Sequence, residues 1–514
     1  MSKTAATVAI RQKRRWPRKR IGVALALVIS ALGTWLWTNH IAGSKLRQAE
    51  ARADRLDPAW HLADIVAGRF KVADEENSAI AVANVVRLMP GGWPKATKRF
   101  LGQDAPPGSP SIVEETVQDR VEKLAPNVRL DNALDAAIRR ELRSLKPALV
   151  RARALAGRDR GHTDLVVPRI VYATLLGHVQ NTRQVMRLLE VDSALLAHDG
   201  DIDGALDSCR AILAVGRSIG DEPFLVSQLV RMNAAARAMG AAERAMAQGT
   251  ASDAALARLQ ALLFDEADQP MLLWGMRGER AATDDVFSKL ATGEITAKEI
   301  RGLIGNTPAM PIELAASVSG AFIRFNHGLA LEMLNEAVEI AKKPMDEQVD
   351  LWAAWKSKST PPTDVLPRFV GSLTFEVLPG VDSVALAYIR TRSMMHAMAA
   401  TIAAERHRLA HGSFPARLAE IDPKFLPRPP VDAFTGRPIL LKPRDGGLIV
   451  YSVSLDRKDD GGVELGLKQW DKPGHDLGFR LLPVSARGKP PARTTLPDDV
   501  FQYIPGPDED EPKP

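Results

Sequence analysis

The chain has 514 residues, of which 45% are hydrophobic and 25% are charged, as is ordinary for a globular protein of two or three domains. Its formal net charge is +6, but residues 1–20 carry eight Lys or Arg and no acid, which leaves about −2 on the other residues. A nucleic-acid-binding domain needs a basic face on its folded part, so this distribution argues against nucleic acid as a partner, and the single cysteine, Cys209, excludes an intrachain disulfide and a cysteine-based zinc cluster.

Residues 21–43 are predicted to be a transmembrane anchor. The stretch from Ile21 to Trp37 carries no charge, and as a helix it would span about 26 Å, close to the thickness of a bilayer's hydrocarbon core. Trp35 and Trp37 lie where an aromatic belt meets the far interface, and the basic tail of residues 1–20 indicates the cytoplasmic side. The sequence therefore predicts a single-pass protein of the cytoplasmic membrane, with its N-terminus in the cytoplasm and its bulk outside, in the periplasm.

A cleaved signal peptide is the alternative to this anchor. Ala31-Leu32-Gly33 places small residues where a signal peptidase cleaves. Both interpretations export the rest of the chain, and they differ in whether the exported part stays attached to the membrane.

Residues 44–380 are predicted to form a helical body. Gly and Pro residues predict a loop over 91–110, and from about 111 to 249 apolar residues recur at the three- to four-residue spacing of helices with a buried face. Successive helices joined by short turns resemble a helical-hairpin stack of the tetratricopeptide kind, although the 34-residue repeat motif is absent from the sequence. Such stacks usually act as scaffolds with a concave binding surface.

One segment of the body has half of an EF-hand pattern. Asp199–Asp207 has aspartates at the first, third, fifth and ninth positions of the loop and Gly204 at the sixth. The twelfth position, which should be a bidentate glutamate, is Arg210, so we interpret the segment as a helix–helix turn whose aspartates cap the next helix. Cys209 lies on the apolar side of that helix and is interpreted as a buried structural thiol rather than a nucleophile.

Two further groups of titratable residues are interpreted without a catalytic role. Glu279 and Asp284-Asp285 lie at helical spacing near Arg277 and Arg280, which predicts surface ion pairs.

His407 and His411 are four residues apart on one helix, with His396 near the same face. A zinc hydrolase would have a glutamate after the first histidine, where Arg408 stands. Solvent-exposed histidines are therefore predicted.

Residues 381–482 are predicted to be a small α+β module that follows a Pro- and Gly-rich boundary at 360–380. A helix from Val381 to His411 should end at Gly412, because glycine readily adopts the left-handed conformation of a helix C-terminus. The runs that predict strands are residues 439–442, 448–453 and 478–482, with Asp445-Gly446-Gly447 supplying much of the turn of a β-hairpin.

Three segments of this module resemble the C-terminal part of the major pseudopilin of type II secretion systems. The resemblance covers about residues 395–480 and implies a long helix packed on a small antiparallel sheet. The segments are Gly412-Ser413-Phe414-Pro415, Pro429-Pro430-Val431-Asp432-Ala433-Phe434-Thr435-Gly436 and the stretch from Val450-Tyr451-Ser452 to Gly461-Gly462.

The same resemblance implies a calcium ion in the loop after the strand that contains Tyr451 and Ser452. Asp456 matches the aspartate of the family's Ser-Leu-Gly-Ala-Asp-Gly motif, and Asp476-Leu477 matches its closing Asp-Ile. Calcium takes six to eight oxygen ligands from carboxylates and backbone carbonyls. Because Lys458 places a cation in this loop, a solvated acidic turn is the alternative. The candidate carboxylate ligands are Asp456, Asp459, Asp460 and Asp476.

The N-terminus departs from the pseudopilin pattern. Members of that family carry a prepilin peptidase site, Gly followed by Phe-Thr-Leu-Ile-Glu, whereas this chain has Arg20-Ile21-Gly22-Val23 at that place. The module also lies some 350 residues downstream of the apolar helix. The chain is therefore not expected to polymerise into a pseudopilus.

These features together predict a mainly α protein with a transmembrane helix, a tetratricopeptide-like body and a pseudopilin-like module. The tail of residues 483–514 is predicted to be disordered, because it has few apolar residues. The expected function is that of a non-enzymatic scaffold that binds other envelope proteins. The alternative is an envelope-associated hydrolase, which a deep cleft lined by paired carboxylates in the helical body would favour.

Overall fold

The computed structural model describes residues 18–94, 97–100, 112–304, 320–378, 380–462 and 473–491. Most of the predicted basic tail, part of the predicted 91–110 loop, part of the acidic loop and the chain beyond residue 491 lie outside the described residues.

The described protein is mainly helical with a small antiparallel sheet, which confirms the coarse fold prediction. The helices are α1 (Arg18–Leu56), α2 (Leu62–Ala67), α3 (Ser78–Val86), α4 (Val117–Lys123), α5 (Asn132–Ser144), α6 (Lys146–Arg153), α7 (Gly177–Asp199), α8 (Ile202–Arg217), α9 (Leu225–Gln248), α10 (Asp253–Ala267), α11 (Met271–Thr292), α12 (Ala297–Ile304), α13 (Gly320–Ala341), α14 (Met345–Ser359), α15 (Val365–Val370), α16 (Ser372–Val377) and α17 (Val381–His411). The strands are β1 (Thr97–Phe100), β2 (Ile112–Glu115), β3 (Leu440–Arg444), β4 (Gly447–Ser452) and β5 (Leu477–Leu481).

Helix α1 has two halves with opposite surroundings. The apolar side chains from Val23 to Trp37 are exposed, Trp37 by 65%, whereas Ala49 and Ala53 are buried against Leu331 of α13. The helix is continuous over 39 residues, so the exposed and the packed halves are one rigid rod about 58 Å long.

The seam between α1 and α13 is close. A Cβ atom built on Gly328 of α13 would lie 2.8 Å from the backbone nitrogen of Leu46, so a larger residue there would displace α1. The side-chain amide of Asn335 donates a hydrogen bond to the carbonyl oxygen of Ala49 at 2.9 Å, inside the same seam. The second half of α1 is therefore an integral part of the helical body.

Helices α7 to α11 form the centre of the body, and their ends follow local signals. Helix α7 ends at Asp199 because Gly200 adopts φ 88°, and the side chain of Asp201 accepts a hydrogen bond from the backbone N–H of Gly204 at the start of α8. Ser252 caps α10 in the same way. Helix α8 packs against α7, α9 and α10, and Cys209 is buried there as predicted.

The predicted 91–110 loop contains one strand. Strand β1 pairs antiparallel with β2, and Thr97 lies opposite Glu115. The sequence did not predict this strand for two reasons. Gly and Pro residues on both sides of it indicate a loop, and its pairing partner, β2, lies outside the predicted loop.

The C-terminal elements agree closely with the local predictions. Helix α17 runs from Val381 to His411, and Gly412 has φ 79°. Strands β3 and β4 are joined by Asp445 and Gly446, both with positive φ, as a two-residue hairpin turn requires. Strand β4 is central in the order β3-β4-β5, and both of its neighbours are antiparallel to it.

The predicted module shares its core with the body. Helix α17 packs on α9, α10 and α14 as well as on β4 and β5, and one cluster of buried residues extends from Leu62 to Leu481. The side-chain amide of Gln260 on α10 donates hydrogen bonds at 2.9 Å to the carbonyl oxygens of Ala399 and Phe425. The boundary at 360–380 is therefore a change in sequence pattern across which packing continues.

The prediction of disorder is wrong for residues 483–491. The guanidinium of Arg487 forms a paired salt bridge with Glu405 of α17, at 2.7 and 2.9 Å, and both side chains are almost fully buried. The N–H of Gly488 also donates to the carbonyl oxygen of Ala247. This ion pair and this backbone hydrogen bond hold in place a segment that has few apolar residues.

Two described helical stretches are long and apolar enough to cross a bilayer. They are Gly22–Leu56 in α1 and Ser372–His411, which contains α16 and α17. Half of the apolar window of the second stretch is buried within the protein, as in a core helix, whereas none of the window in α1 is buried.

Candidate functional site

The loop after β4 is anchored by a carboxylate whose role the sequence analysis missed. Asp432 is buried, and its Oδ1 accepts hydrogen bonds from the hydroxyl groups of Ser393 on α17 and Ser452 on β4. Its Oδ2 accepts the backbone N–H of Val453 at 2.9 Å. Burial raises the pKa of Asp432, while these hydrogen bonds oppose the rise. Asp432 therefore joins the 429–436 loop, the long helix and the strand that leads into the acidic loop.

Asp459 is held within the protein by three donors. Its carboxylate accepts hydrogen bonds from Lys442 Nζ at 2.8 Å, the hydroxyl of Tyr451 at 2.7 Å and the N–H of Gly461 at 2.9 Å. Although burial opposes the change, the bonds from Lys442 and Tyr451 lower the pKa of Asp459. Lys442 rather than Lys458 is therefore the cation that would compete with a metal ion for Asp459.

Asp456 and Asp476 connect the two ends of the loop. Asp456 accepts the N–H groups of Lys458 and Gly474, and Asp476 Oδ2 accepts the N–H of Gly462 at 2.7 Å. Asp476 is fully buried. Burial and the neighbouring carboxylates raise its pKa to about 6.

Two carboxylate oxygens of the loop fit a cation. Oδ1 of Asp476 and Oδ2 of Asp460 are buried and have no hydrogen-bond partner among the described residues. A buried carboxylate oxygen without a donor is costly unless a cation or a proton compensates it. In the described part of the loop, however, no three of the four aspartates bring ligand oxygens within 4.8 Å of one another. The described residues thus contribute two free oxygens but not a complete set of ligands.

A different group of side chains does bring three possible metal-ligand atoms close together. Ligand atoms of Asp135, His198 and Asp199 lie within 4.8 Å of one another. Arg139 donates hydrogen bonds to both aspartates, at 2.9 and 3.0 Å to Asp135, so a guanidinium already supplies the positive charge. We interpret this group as an ion pair.

The remaining aspartates of the half EF-hand pattern also have partners. Asp203 accepts the N–H of Ser252 at 2.7 Å, and Asp207 pairs with Arg210 at 3.0 Å. These contacts support the interpretation of the segment as a helix–helix turn.

The surface ion pairs predicted around Arg280 are wrong. Arg280 is fully buried on α11 and donates to Asp57, just beyond α1, while Asp284 is buried between His327, at 2.8 Å, and His61, at 3.4 Å. Helical spacing places these residues on adjacent faces of α11 but does not reveal that α13, α2 and the segment between α1 and α2 cover those faces.

The prediction of exposed histidines fails for His396. This side chain is buried, and its Nδ1 accepts the N–H of Val431 at 2.8 Å. Burial lowers the pKa of His396 to about 4, so the ring is neutral at physiological pH. His411 is exposed and His407 is half-buried.

A cavity of about 500 Å³ in the body contains carboxyl groups with altered acidity. Burial raises the pKa of Glu190 and of Glu243 to about 7. Glu190 accepts hydrogen bonds from Gln118 and Arg237, and Glu243 accepts the N–H of Arg480 at 3.1 Å. A carboxyl group that titrates near neutral pH is suited to proton transfer.

No protein-family model matches the chain, and no curated protein and no solved structure matches it. Function is therefore inferred from the residues and their geometry.

Proposed function

We propose that the chain is a membrane-anchored protein of the cytoplasmic membrane, with its body outside the membrane, and that it acts as a scaffold for other envelope proteins. The observation that carries this proposal is the division of α1. A stretch of exposed apolar side chains from Val23 to Trp37 leads without a break into a half that packs on α13. An exposed apolar surface of this extent is unfavourable in water and favourable in a bilayer.

The packing of α1 supports an uncleaved anchor over a signal peptide. The helix passes through Ala31-Leu32-Gly33 without interruption, and its packed half holds the exposed half in line with the body. A rigid connection of this kind would set the distance and tilt of the body relative to the bilayer. We regard this positioning as the mechanical basis of a scaffold role.

The partner-binding surfaces are proposed to lie on the helical body and on residues 381–482. Neighbouring helices α7, α8 and α9 pack against one another through short connections, which supports a tetratricopeptide-like arrangement. The packing of α17 on β4 and β5 of the three-stranded sheet and the two-residue hairpin turn support the pseudopilin-like assignment of the module. The sequence of the N-terminus still argues against polymerisation into a pseudopilus.

Protease digestion of spheroplasts tests the proposed topology. Protease added outside should remove a C-terminal tag and digest the body, while an N-terminal tag stays protected until the membrane is permeabilised. Protection of the C-terminal tag would contradict an extracytoplasmic body. Site-specific photocrosslinking from exposed positions of α7–α9 in the same cells would then identify the bound envelope proteins.

We also propose that the acidic loop binds calcium through Asp456, Asp460 and Asp476. Calcium would neutralise the carboxylates that now repel one another, and Asp459 would stay paired with Lys442. We expect saturating calcium to raise the melting temperature of the full chain by about 2–4 °C at pH 7.5. The rise should be smaller at pH 5, because Asp476, with its pKa raised to about 6, is protonated there and loses its affinity for a cation.

Differential scanning calorimetry with calcium and with chelator checks this expectation. The variant Asp456→Asn should lose the shift, whereas Asp445→Asn should keep it. Asp445 is the matched control, because it lies in the exposed hairpin turn of the same module. Equal melting temperatures with calcium and with chelator at pH 7.5 would contradict the calcium proposal.

A hydrolase of envelope polymers is the second candidate function. The cavity that contains Glu190 and Glu243 favours it, because both groups can hold a proton near neutral pH. Release of soluble fragments from purified envelope polymers by the wild-type protein, and its loss in Glu243→Gln, would replace the scaffold proposal with this one.

A further inference from the structure

A second cavity of the body, with a volume of about 670 Å³, has a basic lining. Its walls are formed by α8, α9, α10, the start of α11 and the segment before α7. Two aspartates, Asp159 and Asp265, are the acidic residues of this lining. The arginines of the lining are Arg158, Arg160, Arg210, Arg217, Arg231 and Arg258.

Helix geometry explains why these arginines meet. Arg210 and Arg217 are seven residues apart on α8 and therefore lie on the same face, two turns from each other. Arg258 and Asp265 have the same spacing on α10, which packs against α8. These faces of α8 and α10 therefore form two of the walls of the cavity.

The inner wall is rigid. Glu266 is buried on α10, and its Oε2 accepts from Arg217 Nε at 2.6 Å while its Oε1 accepts from Arg231 Nε at 2.6 Å. Arg231 also donates to the carbonyl oxygen of Gly220 at 3.0 Å. Both guanidinium groups are less than a tenth exposed and are held before any ligand arrives. Such preorganisation lowers the entropic cost of binding.

The outer wall has unused donors. Within the described residues, the guanidinium of Arg160 makes no hydrogen bond and no ion pair, and it lies over the ring of Phe70 at 5.7 Å. The Nε of Arg210 is buried without a partner. Arg258 contacts Asp207 only at 3.3 and 3.5 Å. Arg160 and Arg258 are exposed and have donors to spare, and Arg210 Nε is a desolvated donor without a partner, so this wall favours an anionic ligand.

Positive charge exceeds negative charge around the cavity. Six guanidinium groups face the two lining aspartates, together with Asp207 and Glu266, which contact the same arginines. A planar guanidinium group forms bidentate hydrogen bonds with phosphate or carboxylate oxygens. The volume lies within the range of small-molecule sites and exceeds what one phosphate group occupies.

We propose that this cavity binds a small molecule that carries a diphosphate or several phosphate groups. Rim arginines Arg160 and Arg258 would contact the phosphate oxygens directly. The indole of Trp274 and the side chain of Leu262 in the lining would contact an apolar part of the molecule. This site is separate from the calcium loop and does not depend on the proposed scaffold role.

Isothermal titration of the full chain in detergent with inorganic pyrophosphate tests the proposal, in a buffer free of divalent cations so that the acidic loop takes no part. We expect saturable binding that weakens as salt concentration rises. Citrate is the comparison ligand, because it carries a similar charge on carboxylates, and it should bind at least about tenfold more weakly. The double variant Arg160→Ala/Arg258→Ala should weaken pyrophosphate binding by about tenfold or more.

Two variants distinguish specific phosphate binding from nonspecific attraction to positive charge. Arg160→Lys/Arg258→Lys keeps the positive charge but loses the planar guanidinium groups that bind phosphate in a bidentate manner. Its affinity for pyrophosphate should therefore lie between those of the wild-type protein and the alanine variant. Arg417→Ala, which removes an exposed arginine elsewhere, should leave binding unchanged. Absence of saturable pyrophosphate binding, or equal binding by the alanine variant, would overturn the site. Equal affinity for citrate would overturn its assignment to phosphate.

Discussion

Replacement of Glu266 by alanine is expected to lower the free energy of unfolding by about 3–5 kcal/mol. Glu266 is the buried acceptor shared by Arg217 and Arg231, and all three side chains are at most 6% exposed. Without Glu266, two guanidinium groups stay away from water, and Asp265 compensates only one of them. Removing one member of a buried ion-pair network costs more free energy than the whole network contributes to stability, because the remaining buried charges are uncompensated.

Urea denaturation followed by tryptophan fluorescence measures this loss. It should be measured at pH 7, because the two arginines lower the pKa of Glu266 against the effect of burial, so its contribution is complete above pH 4.5 and is lost as pH falls through the lowered pKa. Glu336→Ala is the matched control, because Glu336 is partly exposed and pairs with Lys358, whose side chain is exposed. The control should cost less than about 1 kcal/mol. A loss of similar size in both variants would show that the Glu266 network is not a buried one.

Replacement of Asp57 by alanine should destabilise the protein by a similar amount, about 3–5 kcal/mol. Asp57 follows α1 directly and accepts hydrogen bonds from Arg277, at 2.7 Å, and from Arg280 of α11. Arg280 is fully buried and lies over the ring of Trp60 at 5.3 Å. Loss of Asp57 would leave this guanidinium without its counter-charge and loosen the attachment of α1 to the body.

Glu332→Ala provides the control for this second variant. Glu332 pairs with Arg52 across the neighbouring α1–α13 interface, but both side chains are more than one third exposed. This substitution should cost less than about 1 kcal/mol. Limited proteolysis adds a structural measure, because Asp57→Ala should expose cleavage sites between α1 and α2 that remain protected in Glu332→Ala. If both variants behave as the wild type does, the end of α1 does not hold the anchor to the body.

Local signals explain which parts of the fold could be predicted. The C-terminal end of α17 depends on Gly412, and the turn between β3 and β4 depends on Asp445 and Gly446. The backbone preferences of these residues act within a few residues of the chain. The exposed half of α1 was predictable because its apolar stretch needs no partner to be recognised. Sequence reasoning was most accurate where a residue determines the conformation of its own neighbourhood.

Long-range pairs account for the errors. Arg487 and Glu405 are 82 residues apart, and Arg280 and Asp57 are 223 apart, so no periodicity in the chain links them. Composition alone predicted disorder after residue 483, whereas one buried ion pair holds Arg487 in place. A charged residue in a helix reveals its face but not the element that covers that face.

In the candidate calcium loop, too, the local features were predictable from the sequence and the long-range contacts were not. The four aspartates were recognisable from their spacing and their resemblance, but the competition from Lys442 for Asp459 depends on a strand pairing that the spacing does not contain. Asp432 was visible within the Pro429–Gly436 segment, and an aspartate between a proline-braced turn and a strand could have been interpreted as a loop anchor. Its four hydrogen bonds, however, come from three separate parts of the chain.

The attachment of α1 to both bilayer and body is the central claim, and alkaline carbonate extraction of membranes followed by intact-mass measurement tests it most directly. The account predicts that the chain stays in the membrane pellet and that its mass includes residues 21–43. Recovery of a soluble chain that is shorter by about thirty residues, as cleavage after Gly33 would produce, would contradict it.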